Sequence, residues 1–442
     1  MVQHTFFALL ACAASAVALN VQRITSDRTV SQNDVLPQAS FVSTLSHKVP
    51  RRAKKTRALR QLQRGRSQTA SLSGAAGDQE YVTEITIGDQ KFQAIVDTGS
   101  SDTWLANKGY KCFDLSDNPV PEAACDFGTP VFDKTKSKTF EAFKNMNFNI
   151  SYGDNEFLTG DIGFETVTVG GLTVTHQEIG LATAAAWEGD NVTAGLLGLA
   201  YPGLTDAYKG TDPDADGSAN NVVYNPFFFN AVEQKSVAAP YFSIALNRGT
   251  FAAETNATFD PNLGYLAFGG IAPVPVTSTA VTVPVQGFAT KRNVTTLFYY
   301  TVDIDSYIFT GSTKVNTTGS AILDTGTTLN YLPSEVAKAY NAKFVPPARF
   351  DEDEGLYLVD CNAKVPAFSA VIGGKTFVVD TRDNILPNPG AEGSFKCISG
   401  TQDGGEVADG SIFILGDVFL HNVVSTFDIS NNTVTIHERT RY

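Results

Sequence analysis

Ala94-Ile95-Val96-Asp97-Thr98-Gly99-Ser100-Ser101 is answered far downstream by Ala321-Ile322-Leu323-Asp324-Thr325-Gly326-Thr327-Thr328. Each copy has its own later echo, Gly195-Leu196-Leu197-Gly198 after the first and Phe413-Ile414-Leu415-Gly416 after the second. One Asp-Thr-Gly reads as an ordinary β-turn. Two copies with matched apolar flanks read as an internal repeat, hence two similar lobes with one aspartate from each meeting between them. An aspartate ending an apolar strand and followed by Thr-Gly-Ser/Thr enters a tight turn that glycine permits. Hydroxyls and backbone N–H groups can hold its carboxylate there. Two carboxylates brought together cannot both ionise, so the pair shares a proton and offers an acid and a base at once. Such a pair can activate a bound water and protonate the carbonyl it attacks, without metal or covalent nucleophile.

The flanking sequence carries this frame outward. Of 442 residues, 43% are apolar and 18% charged, which suits a folded globular protein. From Tyr81 on, period-two segments recur, among them Tyr81–Ile87, Thr166–Val169, Tyr300–Ile304 and Thr433–Ile436, separated by glycine pairs such as Gly170-Gly171. Helical patterns are confined to Asn225–Gln234 and Ser334–Lys343, so the fold expected is mostly β, with an N-terminal lobe over 78–272 and a C-terminal lobe over 273–442. Asp206–Asn220 and Asp351–Glu354 read as solvated surface excursions. No G-x-S-x-G, H-E-x-x-H, Walker or dinucleotide-binding glycine pattern accompanies the repeat, so serine, metallo and nucleotide chemistries have no support.

The N-terminal region reads as two removable segments. Residues 1–18 form an apolar stretch ending Ala16-Val17-Ala18, a secretory signal pattern too short to span a bilayer. Residues 19–77 carry eleven basic side chains against Asp27 and Asp34, net +9, while the whole chain is −13, leaving −22 for the body. A cationic segment joined to an anionic body predicts a propeptide that docks on its own protein and acts as an intramolecular inhibitor, released in acid as carboxylates protonate. Ser67–Gly77 has the composition of a cleavable linker. The anionic body excludes a nucleic-acid partner, no later run is long enough for a membrane span, and a secreted monomer is expected.

Cys12 leaves with the signal, and the remaining four permit three pairings, of which the local pairs Cys112 with Cys125 and Cys361 with Cys397 are the simplest. Sequons stand at Asn149, Asn191, Asn256, Asn293, Asn316 and Asn431, all glycosylation candidates in an exported chain, although Asn149 lies within an apparent strand. Asp212-Pro213-Asp214-Ala215-Asp216-Gly217 has the spacing of a calcium loop. Val223 stands where that loop needs a bidentate glutamate, so no metal site and no cofactor is expected.

At Val96–Trp104 and Ile322–Thr328 the chain resembles the pepsin-like aspartic endopeptidases of the secreted fungal type, and the resemblance runs from signal to C-terminus. It implies a bilobal pepsin-like fold with pseudo-twofold symmetry and an interlobe cleft, polypeptide substrates, and Asp97 and Asp324 as the catalytic pair. Ser100 and Thr327 then match the hydroxyls on the outer carboxylate oxygens, and Thr98 and Thr325 match the lattice joining the two turns, with Gly99 and Gly326 beside them. Tyr152, Gly153 and Asp154 are similar to the flap, with Trp104 placed to hydrogen-bond the tyrosine. Leu199–Pro202, Leu266–Gly270 and Leu415–Phe419 resemble framework segments. The resemblance implies hydrophobic residues around the scissile bond, and Asp154 adds tolerance of Lys at P1. Lys48 and Lys54 are the propeptide bases that could cover the pair. Gly88-Asp89-Gln90 and the long Cys112–Cys125 loop depart from the family pattern. The competing expectation, a catalytically dead binding or inhibitor protein of the same fold, predicts damage to a triplet or to the flap tyrosine, and all are intact.

Overall fold

The computed structural model describes residues 21–22, 39–48, 80–152, 156–249, 260–289, 295–310, 313–315, 319–352, 355–388, 396–407 and 411–442. The fold is mostly β and bilobal, built around a sixteen-stranded sheet. In the first lobe Glu80–Ile87 pairs antiparallel with Gln90–Asp97, from Val82 opposite Ile95 to Ile87 opposite Gln90. Phe157–Val169 and Leu172–Ala186 form a long hairpin whose two-residue turn is Gly170-Gly171, at φ 57° and 91°. Both turn residues need positive φ for the strands to follow their natural twist, and glycine adopts it without strain. The sheet continues through Asp260–Phe268, Tyr241–Leu246, Val423–Asp428 and Thr433–Arg439 to Val276–Pro284, crossing residue 272. Thr301–Ile304, Gly319–Leu323, Phe413–Leu415, Asn330–Leu332 and Thr401–Asp403 make a second, five-stranded sheet.

The core is continuous between the lobes. Phe242 lies between Phe228, Tyr300 and Phe427, with ring centroids 5.1, 5.8 and 4.9 Å away. The Tyr300 hydroxyl donates across to Leu199 O at 2.8 Å. Each fully buried ring contributes on the order of 1.5–3 kcal/mol through lost water contact, so these rings bind the lobes together.

Several of the sequence expectations shift. The first helix is Phe227–Glu233, starting after Pro226, whose missing N–H and fixed φ suit a helix start better than Asn225 does. The second spans Ser334–Asn341. Asp206–Asn220 is not simply a solvated excursion: Ala207–Lys209 is a strand paired with Met146–Ser151. Phe41–Lys48, inside the basic N-terminal segment, is likewise a strand, seated between Asp260–Phe268 and Glu80–Ile87 with Leu45 fully buried. No described helix is long and apolar enough to cross a membrane.

Candidate active site

The two echoes of the sequence repeat are the structural supports of the two turns. Gly195–Gly198 runs parallel to Ala94–Asp97, and Phe413–Leu415 runs parallel to Ala321–Leu323. Gly198 and Gly416 close each support strand against the turn it backs. A Cβ on Gly198 would stand 2.4 Å from Ser101 C, and one on Gly416 would stand 2.3 Å from Thr327 O. Only glycine allows so close a backbone approach.

These supports bring Asp97 and Asp324 together at the lobe junction, 6% and 5% exposed. Each carboxylate is held by its own turn. Gly99 N donates to Asp97 Oδ1 at 2.6 Å and Ser100 Oγ donates to Asp97 Oδ2. On the other side Gly326 N donates to Asp324 Oδ1 at 2.9 Å and Thr327 Oγ1 to Asp324 Oδ2 at 2.7 Å. The turns are then tied to each other. Thr98 Oγ1 donates to Leu323 O at 2.8 Å and accepts from Thr325 N at 3.1 Å, while Thr325 Oγ1 donates to Val96 O at 2.7 Å and accepts from Thr98 N at 3.1 Å. Four buried bonds fix the spacing of the two carboxyls, and burying polar groups demands that they be met in this way. Burial, and then the charge of Asp97, push the Asp324 carboxyl well above the usual carboxylate range.

Tyr152 lies within reach of the Asp97 charge. Its hydroxyl accepts from Trp104 Nε1 at 2.7 Å, and its ring meets Trp187 edge-on at 5.8 Å. Burial and the Asp97 charge push the Tyr152 phenol far up, so it stays neutral. Gly153 and Asp154 lie outside the described residues. Tyr299 is a neighbour that the sequence did not single out; burial and the charges of Asp324, Asp206 and Asp97 push it up to about 12.

A second acidic pair, also not foreseen, lies just behind. Asp102 is fully buried; it accepts the Tyr224 hydroxyl and, at 3.1 and 3.2 Å, the N–H of Asp206. Burial first and the Asp206 charge second push Asp102 well up, and burial pushes Asp206 up to about 6. The Ser-Asp-Thr-Trp stretch was the available signal, but the hydroxyl partner, Tyr224, lies far along the chain.

Cys112 is bonded to Cys125 and Cys361 to Cys397. Asn191 and Asn431 are exposed, Asn149 is half-buried with its amide engaged, and Asn256, Asn293 and Asn316 lie outside the described residues. Asp216, the third acid of the calcium-like spacing, gives its carboxylate to asparagine amides, and no group of three metal-ligating side chains occurs among the described residues.

A family model described as eukaryotic aspartyl protease matches residues 80–439. A probable aspartic-type endopeptidase of Aspergillus fumigatus is 39% identical over 368 residues, 82% of this chain and 80% of that one. Endothiapepsin of Cryphonectria parasitica is 30% identical over 358 residues, 79% of this chain and 73% of its own. The crystal structure of an aspartic proteinase from Irpex lacteus matches in fold with a TM-score of 0.62 at 22% identity, covering 82% of this chain and 94% of that chain.

Proposed function

The chain belongs to the eukaryotic aspartyl protease family and is an aspartic endopeptidase, and we propose that it works as a secreted, acid-active enzyme made as a zymogen, with Asp97 and Asp324 as its catalytic pair. The observation that carries the site assignment is the lattice of Thr98 and Thr325, which holds two buried carboxyls from different lobes against each other. The buried pair shares one proton, and its ionised member takes a proton from a water lying between the two carboxyls. The resulting hydroxide equivalent attacks the peptide carbonyl carbon while the protonated member gives its proton to the carbonyl oxygen. A tetrahedral diol forms; the proton taken from water passes to the leaving nitrogen as the C–N bond breaks, and a diol hydroxyl returns its proton to the pair as the carbonyl re-forms, restoring the shared-proton state. No step requires a bound cofactor.

Activity by this route needs one proton on the pair, which fits an acidic milieu. Hydrophobic residues around the cut, with Lys also accepted at P1 through Asp154, make up the proposed specificity. Residues 1–18 as a signal, 19–77 as the propeptide, and lobes over 78–272 and 273–442 complete the reading. The seating of Phe41–Lys48 in the central sheet supports an N-terminal segment that docks through a backbone ladder as well as through charge.

The test is hydrolysis of denatured haemoglobin from pH 2 to 7 by acid-treated protein, with and without pepstatin and beside Asp97→Asn. Acid activity abolished by both is expected. A processed, folded protein that cleaves nothing would make an inactive binding protein of this fold the better reading.

A further inference from the structure

The geometry points to a positioning role for the Asp206–Asn220 insert: through the carboxylate of Asp216 it fixes the strand that carries Tyr152. The argument begins with alternation along Met146–Ser151. Phe148 and Ile150 are buried, 0% and 3% exposed, so Asn147 and Asn149 share the opposite face. Their amides are taken by the insert. Asn147 Nδ2 donates to Asp216 Oδ1 at 3.2 Å, and Asn149 Nδ2 donates to Asp216 Oδ2 at 3.1 Å and to Pro213 O at 3.0 Å. Asn220 Nδ2 adds a third amide on Asp216 Oδ1 at 3.0 Å, which orients the carboxylate from within the insert. Each oxygen of the one carboxylate takes a different strand amide, so one side chain clamps both asparagines.

The backbone repeats the connection. Ala207–Lys209 pairs with the same strand, Ala207 opposite Phe148 and Lys209 opposite Met146, and Asn149 N donates to Asp206 O at 3.2 Å. Asp206 N in turn reaches Asp102, two residues past Ser100. The insert therefore spans from the turn that holds Asp97 to the strand that leads into Tyr152. Register is the quantity at stake: a strand slipped by one residue would turn Asn147 and Asn149 inward and carry Tyr152 away from Trp104. Asp216 touches neither substrate nor the carboxyl pair, so its action is through Tyr152.

The chain contains two tryptophans, and both contact Tyr152, Trp104 by hydrogen bond and Trp187 by ring packing. Intrinsic fluorescence thus reports Tyr152 directly. The proposal rests on the endopeptidase activity, and fluorescence separates the two because it needs no turnover.

Asp216→Ala, Asp216→Asn and Asn147→Ala would be compared with the unaltered protein and with Asp97→Asn as the inactive, correctly positioned control. The expected result for Asp216→Ala is a shifted tryptophan emission maximum and a kcat/KM for a good peptide lower by about tenfold, the scale on which small misplacements act. Asp216→Asn, which keeps one carbonyl acceptor, recovers part of both, and Asn147→Ala shows the smaller shift if Asp216→Ala does not fold. Emission, kcat and KM all unchanged, with only the melting temperature lowered, would overturn the proposal and leave the insert a stabilising strap.

Discussion

Gly99 of the first turn lies against Asp324 of the second: a Cβ on Gly99 would stand 2.5 Å from Asp324 Oδ1, and in the mirrored contact a Cβ on Gly326 would stand 2.5 Å from Asp97 Oδ1. Each glycine is the floor on which the opposite carboxylate rests. Gly99→Ala has no strained φ to adopt, so its cost is the contact itself. The methyl must displace the Asp324 carboxyl by roughly an ångström, and about a hundredfold loss of kcat is expected with the protein still folded. Steady-state kinetics beside a circular-dichroism spectrum decide it. An active Gly99→Ala would mean that the pair tolerates a spacing other than the one seen.

The threonine lattice makes a different prediction, about stability. Thr98→Val keeps shape but removes the hydroxyl that donates to Leu323 O and accepts from Thr325 N. Two buried backbone groups lose their partner, each at roughly 1–3 kcal/mol, so a loss of about 2–4 kcal/mol is expected in denaturant unfolding. Thr98→Ser, which restores the hydroxyl, should recover most of it. Equal midpoints for Thr98→Val and the unaltered protein would show that the lattice adds no stability.

Asp102 gives the pH prediction. Burial raises its folded-state ionisation above the value of about 4 for an aspartate in an unfolded chain. The stability it contributes is whole below that pH and is lost as pH rises through its folded ionisation range; Asp206, pushed up to about 6, acts in the same direction. Asp102→Asn replaces a carboxyl that the fold prefers neutral. Melting temperatures of variant and unaltered protein should converge near pH 3 and separate towards neutrality, with the variant the more stable. Parallel curves across pH 3 to 7 would contradict the sign argued here.

What the sequence made legible follows from where the causes lie. Asp97 and Asp324 were visible because the chain states the motif twice, and Gly198 and Gly416 because the echo repeats with it. Trp104 was visible only through the family resemblance of Val96–Trp104. The buried Asp102 was not, since its hydroxyl partner Tyr224 lies 122 positions away. Asp212–Gly217 shows a related limit of local reading: it has cation-loop spacing, while donors on Asp216 belong to Asn147 and Asn149, 69 and 67 positions upstream. In Phe41–Lys48 the dense positive charge that follows drew attention from the alternation of Phe41, Ser43 and Leu45, which carries that stretch into the sheet.

The sequon at Asn149 provides the last prediction. Glycan attachment occurs at Nδ2, the atom that donates to both Pro213 O and Asp216 Oδ2. A glycosylated nitrogen keeps one N–H, so the modified residue could make at most one of these two bonds, and the sugar would have to pass through the insert that covers this face. Asn191 and Asn431 are exposed, and Asn431 Nδ2 donates to Asp428 Oδ2 at 2.8 Å, a bond that the one N–H left after attachment can keep. Enzymatic deglycosylation in heavy-oxygen water, followed by peptide mapping, marks each occupied asparagine as a labelled aspartate. The folded, active protein should show no label at Asn149, and Ser151→Ala, which erases the sequon, should leave the intact mass changed only by the substituted atoms. A label at Asn149 in active enzyme would mean that the insert swings off the Met146–Ser151 strand, and it would count against Asp216 as the clamp.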